Sequence, residues 1–322
     1  MKETQDRYSI RRIGQDDFDL LLPLMKNCFG MDVDIEYFRW KYTKNPAGSF
    51  IGFIAEDEEA DGQVGAYYGV IPQRFDFQGQ ERTIFQSCDT MTHSDHRRRG
   101  LFKTLALKCY STLESEGKLF VIGFGGGQST PGFLKFGWKH VFDFRYLFKP
   151  TLLLPRKQDL GFKEVDLDTF LQSPGIYRHK EIDGIYASRG EAHARWRLSN
   201  PLHEYRFIIS EDDPSSYVVY YVQEDKVMLF DFHFGSKKKT KQAMRFLGTE
   251  CHQRKLKGVV AFCQEGGSDY KVLRESGFML NPFKRGPLSL VVPFIFYSSD
   301  SEMERWNSQE HWQVRTYDHD AL

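Results

Sequence analysis

The feature that most constrains this chain is a repeat. Tyr37-Phe38-Arg39-Trp40-Lys41-Tyr42-Thr43-Lys44-Asn45-Pro46 is echoed by His193-Ala194-Arg195-Trp196-Arg197-Leu198-Ser199-Asn200-Pro201, with R-W-K/R and N-P in common. After each copy the same succession follows: strands, a helix, an apolar strand, a glycine bend, and a short helix ending in Gly-aromatic. That last piece is Phe133–Trp138 in one half and Leu273–Phe278 in the other. Chance can supply one such match. Two in the same order argue for a duplicated fold, because a repeated order of elements packs into a repeated architecture. The 322 residues are also about two domains' worth. The expected organisation is a first domain over residues 1–150 and a related second over residues 151–322, joined near Pro150–Asp168.

Local patterns in the first half alternate strands and helices, an α/β (α+β) class. Ser9–Ile13 reads as a strand, and Asp16–Phe29 as an amphipathic helix with Leu20, Leu21, Leu24 and Phe29 on one side. Ile35–Tyr42 reads as a second helix, ended by Asn45-Pro46. Ser49–Glu56, Gly65–Pro72, Phe75–Phe77 and Thr83–His93 then form an expected antiparallel meander. Arg99–Glu116 follows as a helix with Leu101, Phe102, Leu105, Cys109 and Leu113 on one face and Gly117 beyond its end. Lys118–Phe124 is a buried strand, Gly125–Gly127 a bend, Pro131–Phe136 a short helix closed by Gly137, and Trp138 to Phe148 a last strand.

The chemistry concentrates in Asp89–Leu105, DTMTHSDHRRRGLFKTL, a strand that runs through a basic turn straight into a helix. Such a junction binds anions. The first N–H groups of a helix lack internal partners and the helix dipole adds positive charge, so a pyrophosphate can sit there. Gly100 lets the backbone approach closely, and Arg97, Arg98 and Arg99 add charge. A solvated basic turn or an RNA-contacting patch would also use these arginines; the adjoining helix N-terminus favours phosphate. Gly125–Gly127 lacks both Gly-Lys-Ser/Thr and G-x-G-x-x-G, so it does not read as a nucleotide loop.

The segment resembles the pyrophosphate loop of the GNAT superfamily of N-acetyltransferases, R/Q-x-x-G-x-G/A. Here it reads Arg97-Arg98-Arg99-Gly100-Leu101-Phe102, with Phe102 in place of the final small residue. The family's fifth strand, Lys118–Phe124, and its Gly-aromatic, Phe136-Gly137-Trp138, follow in order, so the resemblance spans residues 8–148. It implies two GNAT-like domains, each a mixed, mostly antiparallel sheet flanked by helices, with acetyl-CoA as the co-substrate of the first. In the family the fourth and fifth strands splay and pantetheine lies between them, paired with backbone groups that correspond to Met91, Thr92 and His93. Arg97, Arg98, Arg99, Gly100, Leu101, Phe102 and Lys103 would then hold the pyrophosphate. Gln128 and Ser129 stand where further CoA contacts often occur. The second copy has His233-Phe234-Gly235-Ser236-Lys237-Lys238-Lys239 at this place, without the critical Gly, and is expected to have lost the cofactor site.

The reaction so implied is attack of a neutral amine on the thioester carbonyl of acetyl-CoA. It needs a base, an N–H donor for the oxyanion and an acid for the thiolate. The Thr92 amide is the expected oxyanion donor, and Asp89, on the strand entering the cleft, is the candidate base. The tyrosine that many members use as acid is replaced by Phe133, and Gln86 stands near where histone-type members place a glutamate. Catalysis is therefore expected to rest on positioning and on solvent. Other tandem members recruit the C-terminal carboxylate, which here would be that of Leu322. The acceptor is expected to be a small amine, an amino sugar or amino acid derivative. A tandem-GNAT aminoacyl transferase and a non-catalytic acyl-CoA-binding scaffold are the alternatives.

Composition excludes several other classes. The 44 basic residues balance the 44 acidic ones, leaving no overall field for nucleic acid or an anionic membrane, which also weighs against charged tRNA as a substrate. Five scattered cysteines without C-x-x-C spacing fit reduced thiols in the cytoplasm. The polar start lacks a signal peptide's apolar core, and no run approaches the ~20 apolar residues of a membrane span. His93 and His96 lie across a strand-to-turn change without a second ligand cluster, so no metal is expected.

Overall fold

A computed structural model describes residues 7–60, 62–127, 129–156, 161–177, 184–281 and 291–320, and in it the chain divides into two compact units at Val141–Phe142. One unit comprises Met1–Val141 and Phe294–Ser308, the other Phe142–Pro293 and Gln309–Asp320. The boundary expected at residue 150 is thus displaced, and neither unit is contiguous in sequence. Strand pairing gives the reason.

In the first unit β1 (Tyr8–Arg12), β2 (Ile51–Asp57), β3 (Gln63–Phe77) and β4 (Gln80–Thr92) form an antiparallel meander. β3 is a single strand where the sequence suggested two. β2 stops pairing at Ile51–Val70, so Pro72 forfeits no bond to it, and the Pro72 carbonyl accepts from Asn45 Nδ2 at 3.0 Å. Asp16–Phe29 likewise divides. Gln15–Leu21 is a 3₁₀ turn, and α1 (Leu22–Phe29) starts afresh with Pro23 in its first turn, where a missing N–H costs nothing. α2 (Ile35–Phe38), capped by the Asp34 carboxylate, runs on as a π-helical turn over Arg39–Thr43.

α3 (Leu101–Ser115) buries Leu101, Leu105, Ala106, Cys109 and Leu113 against Tyr68, Val70, Phe85 and Val121 of the sheet, the face its 3.6-residue spacing specified. It leads to β5 (Phe120–Phe124), parallel to β4, and then to α4 (Thr130–Lys135). β6 (Lys139–Pro150) follows, and from Phe144 to Pro150 it pairs antiparallel with Gln264–Gly258 inside the second unit. The partner β5 receives instead is residues 294–298, with Phe294 opposite Phe124 and Ser298 opposite Phe120.

The second unit repeats the plan. β7 (Phe162–Val165), β8 (Arg206–Ser210), β9 (Tyr217–Gln223) and β10 (Lys226–His233) are antiparallel neighbours, and β11 (Gly258–Gln264) lies parallel to β10. α5 (Glu191–Arg197) carries the second R-W motif, α6 (Lys237–Gln253) connects β10 to β11, and α7 (Ser268–Glu275) follows. The correspondence extends to detail. The register slips by one residue between Tyr67 and Gly69 on β3 and between Val219 and Tyr220 on β9. Asn45 Oδ1 accepts from Ala47 N at 2.9 Å and Asn200 Oδ1 from Leu202 N at 3.0 Å. The N-P repeat is therefore a pair of side-chain-closed turns, and Trp40 and Trp196 are both buried.

Two histidines of the second unit are held neutral. Burial, then Arg189 and Arg197, pushes His193 down to about 3; burial, then Arg197, pushes His203 down to about 4. His193 Nδ1 and His203 Nε2 have no hydrogen-bond partner among the described residues. A depressed folded value means that stability is whole above the unfolded value near ~6.5 and is lost as pH falls toward the folded one. Urea unfolding followed from about pH 7 should hold nearly level to about pH 6.5 and then, toward about pH 4.5, approach a loss of roughly 1.4 kcal/mol per pH unit for each histidine. His203→Gln should remove one histidine's share of that slope, and an unchanged slope would refute the assignment.

Candidate functional site

β4 and β5 pair at Phe85–Val121 and Gln86–Ile122 and then part. Beyond that point β4 carries its bulge, with Asp89 at φ +45°, in the left-handed region. His93 N donates to Gly65 O at 2.9 Å, so His93 faces β3. Alternation in an antiparallel ladder turns the Thr92 amide the other way, toward the side β5 has left. The same alternation directs the Met91 backbone to β3, and the Met91 side chain is buried. Of the three residues expected to meet pantetheine, Thr92 is the one whose amide opens to the gap.

The gap continues into a cleft of about 570 Å³. Arg97, Arg98, Arg99, Gly100, Leu101, Phe102 and Lys103 all line it, and Thr92 and Ser129 do so from the strand and from the loop before α4. Gln128, like Leu322, lies outside the described residues. Gly100 stands at φ +78° and enters α3 without a side-chain cap. Thr104 N is the first amide bonded back, to Gly100 O at 3.1 Å, so the amides of Leu101, Phe102 and Lys103 form the unspent N-terminus of the helix. Arg97 Nε donates to Thr92 O at 3.3 Å and Arg99 Nη2 to Asp95 O at 3.5 Å, which ties the basic turn to the end of β4.

Phe102, the departure from the loop pattern, is accommodated by turning inward. Its ring lies 4.9 Å from that of Phe133 and 5.2 Å from that of Phe136. Gly132 makes the room: a Cβ there would come within 2.8 Å of the Phe102 ring. His96 pins the turn from below. It is 4% exposed, its Nδ1 lies 2.8 Å from Tyr8 Oη and 3.5 Å from Asp57 Oδ2, and burial lowers its pKa.

The placement of Asp89 corrects its reading as a base. Lys41 Nζ donates to Asp89 Oδ1 at 2.8 Å and Tyr42 Oη to Oδ2 at 2.7 Å, with the Lys41 side chain fully buried and that of Asp89 6% exposed. The carboxylate is spent on anchoring the bulge to the first R-W-K segment, and it does not line the cleft. Gln86 is buried against Gln73. Phe133 is buried, 4.6 Å from Trp138 ring to ring. The structure adds cleft residues that the sequence reading did not assign to the site: Cys28 and Phe29 at the end of α1, Thr90, and Gly126 and Gly127 of the glycine bend. Phe29, placed by its spacing on the apolar side with Leu20, Leu21 and Leu24, is 49% exposed instead, and neither it nor Cys28 carried a sequence signal for the cleft.

In the second unit β10 and β11 also part, after Leu229–Ala261. There the opening is filled by the chain itself. Gln264 Nε2 donates to Trp312 O at 3.2 Å, Val314 N to Gln264 Oε1 at 3.4 Å, and Thr316 Oγ1 to Phe262 O. Arg315 adds bonds to Asp231 Oδ1 at 3.2 Å and Asp269 Oδ1 at 3.1 Å. At the entrance of α6 stands Ser236, which accepts from Lys239 N, where α3 has Gly100, and residues 312–316 occupy the opening beside it.

Residues 9–141 match the family model described as an acetyltransferase (GNAT) domain. No curated protein matches the chain. Among solved structures, a conserved Enterococcus faecalis protein of unknown function, called a "probable N-acyltransferase", is similar with a TM-score of 0.68 at 12% identity, over 90% of this chain and 72% of that one. A GCN5-related N-acetyltransferase of Anabaena variabilis gives 0.66 at 14%, over 92% and 74%, and one of Kribbella flavida 0.65 at 12%, over 92% and 73%. At these identities the likeness establishes the fold.

The anchor yields a test. Lys41→Met leaves a buried carboxylate without its counter-charge and should cost about 3–5 kcal/mol in urea unfolding. Combining it with Asp89→Leu should recover most of that loss, and additive losses would show that the two residues are not a pair.

Proposed function

We propose that this chain, whose residues 9–141 match the acetyltransferase (GNAT) domain family, is an acyltransferase that moves the acetyl group of acetyl-CoA to the amine of a small molecule such as an amino sugar or amino acid derivative. One observation carries the reading: the uncapped N-terminus of α3, three arginines and the outward Thr92 amide line one cleft. The amides of Leu101–Lys103 with Arg97–Arg99 fit a pyrophosphate. The gap between β4 and β5 suits a narrow amide-bearing arm, and the orientation of the Thr92 N–H supports a role for it as the donor to the thioester oxygen.

The amine nitrogen bonds to the carbonyl carbon, the C–S bond breaks, and the thiolate leaves. Asp89 is committed to Lys41 and Tyr42, and Phe133 offers no hydroxyl, so the nitrogen's proton passes to water and the thiolate is protonated from water. The cleft contributes proximity and oxyanion stabilisation. A second reading, an acyl-CoA binder without turnover, is favoured by the ring at Phe133, where a hydroxyl would be needed for an acid.

Titration calorimetry with acetyl-CoA should give one site per chain. Gly100→Glu should abolish it by placing bulk and negative charge at the helix entrance, while Lys238→Glu, on α6, should leave it unchanged. Equal loss in both variants would overturn the assignment. Thiol release with an amine panel separates enzyme from binder, and kcat/KM should rise about tenfold per pH unit up to the amine's own pKa, because the deprotonated amine is the reactant. A bell-shaped profile would reveal an enzymic base and acid.

Cys28 offers an independent readout. Cys88, Cys109, Cys251 and Cys263 are buried, whereas Cys28 is partly exposed and lines the cleft. Burial pushes its thiol up, against the Thr92 amide and Arg97, so alkylation is best followed at about pH 9. Native protein should take up one equivalent of iodoacetamide, and saturating acetyl-CoA should slow the reaction. An unchanged rate would place the co-substrate elsewhere.

A further inference from the structure

The second unit holds a cavity of its own, of about 950 Å³, lined by the first turns of α6 and the end of α7. Among the described residues, Lys149, Arg156, Lys237, Lys241 and Arg245 line it, against one carboxylate, Glu275. Phe234, Met244 and Val272 add an apolar floor. Its size lies within the range of small-molecule sites, and its charge is one-sided.

Lys149 supplies a second, independent observation. Its residue is 8% exposed, and its Nζ donates to Ser276 O at 2.5 Å. No carboxylate pairs with it among the described residues, and burial lowers its pKa. A buried ammonium satisfied by a single carbonyl retains most of its desolvation penalty, and an anion entering the cavity would offset it. Lys237 and Lys241 lie in the first turn and a half of a 17-residue helix, where the dipole also favours negative charge.

We propose that this cavity binds a small phosphate-bearing amphiphile, its phosphate at Lys149, Lys237 and Lys241 and its apolar body on Phe234, Met244 and Val272. Several cations lining one cavity favour a doubly charged phosphate over a carboxylate. The apolar floor selects against bare phosphate. Coenzyme A itself does not suit the site, because Trp312–Thr316 fills the neighbouring gap between β10 and β11 that a pantetheine arm would need. The site is separate from the cleft at Gly100 and does not depend on the acyl-transfer reading.

The test is calorimetric titration of the full chain with octyl phosphate, inorganic phosphate and octanoate, in a Gly100→Glu background that silences the first cleft. One octyl phosphate per chain should bind, and phosphate and octanoate should each bind at least about tenfold more weakly. Lys237→Glu/Lys241→Glu should raise the octyl phosphate Kd by at least about tenfold, and Lys149→Met should do the same without lowering the unfolding temperature of the empty protein. Absence of saturable binding, binding lost in Gly100→Glu alone, or affinity indifferent to these lysines would overturn the proposal. Equal affinity for octyl phosphate and inorganic phosphate would overturn the role of the apolar floor.

Discussion

Two parallel strands that pair for two residues and then separate govern everything at the candidate site. A ladder that simply continued would consume the Thr92 amide; because β4 and β5 part after Gln86–Ile122, that amide is left facing a gap. Such a parting costs main-chain hydrogen bonds, so something must hold the strands apart. The bulge at Asp89 bends β4 away, and the buried Lys41 and Tyr42 hold the bulge through both carboxylate oxygens. An acidic residue that looks catalytic in sequence thus sets the shape of the cleft from behind it.

Local features were legible in the sequence, and long-range ones were not. The apolar spacing of Leu101, Leu105, Cys109 and Leu113 fixes the buried face of α3, and the glycine after three arginines fixes an uncapped helix entrance at Gly100. Both are decided within a few residues. The break foreseen at Pro72 failed because its cost depends on whether β2 still pairs there, which Pro72 itself does not encode. Asp89 was misread for a similar reason, since strand alternation assigns a face only while the strand has no bulge. The exchange of the strand beside β5 left no local trace at all. Lys139–Pro150 is a good strand in either pairing, and only its distant partners decide between them.

The second unit is like the first in some features and departs from it in others. The register slip, the side-chain-closed N-P turn and the parting strands recur, while the anion loop does not. Where the first copy keeps Lys41 on Asp89, the second has Arg197 donating to the carbonyls of Tyr317 at 3.0 Å and His319 at 2.6 Å, so the same position of the repeat now grips the segment that fills the gap. A cation that shaped an opening in one copy closes it in the other.

The borrowed strand also bears on how the protein is made. Phe124 meets Phe294 about 170 residues after it leaves the ribosome, roughly ten to thirty seconds of synthesis at ordinary rates. Throughout that interval β5 presents an unpaired edge, open to other nascent chains, beside a cleft whose sheet is incomplete. A gene fragment ending at residue 141, where the match to the acetyltransferase family ends, would make that transient edge permanent.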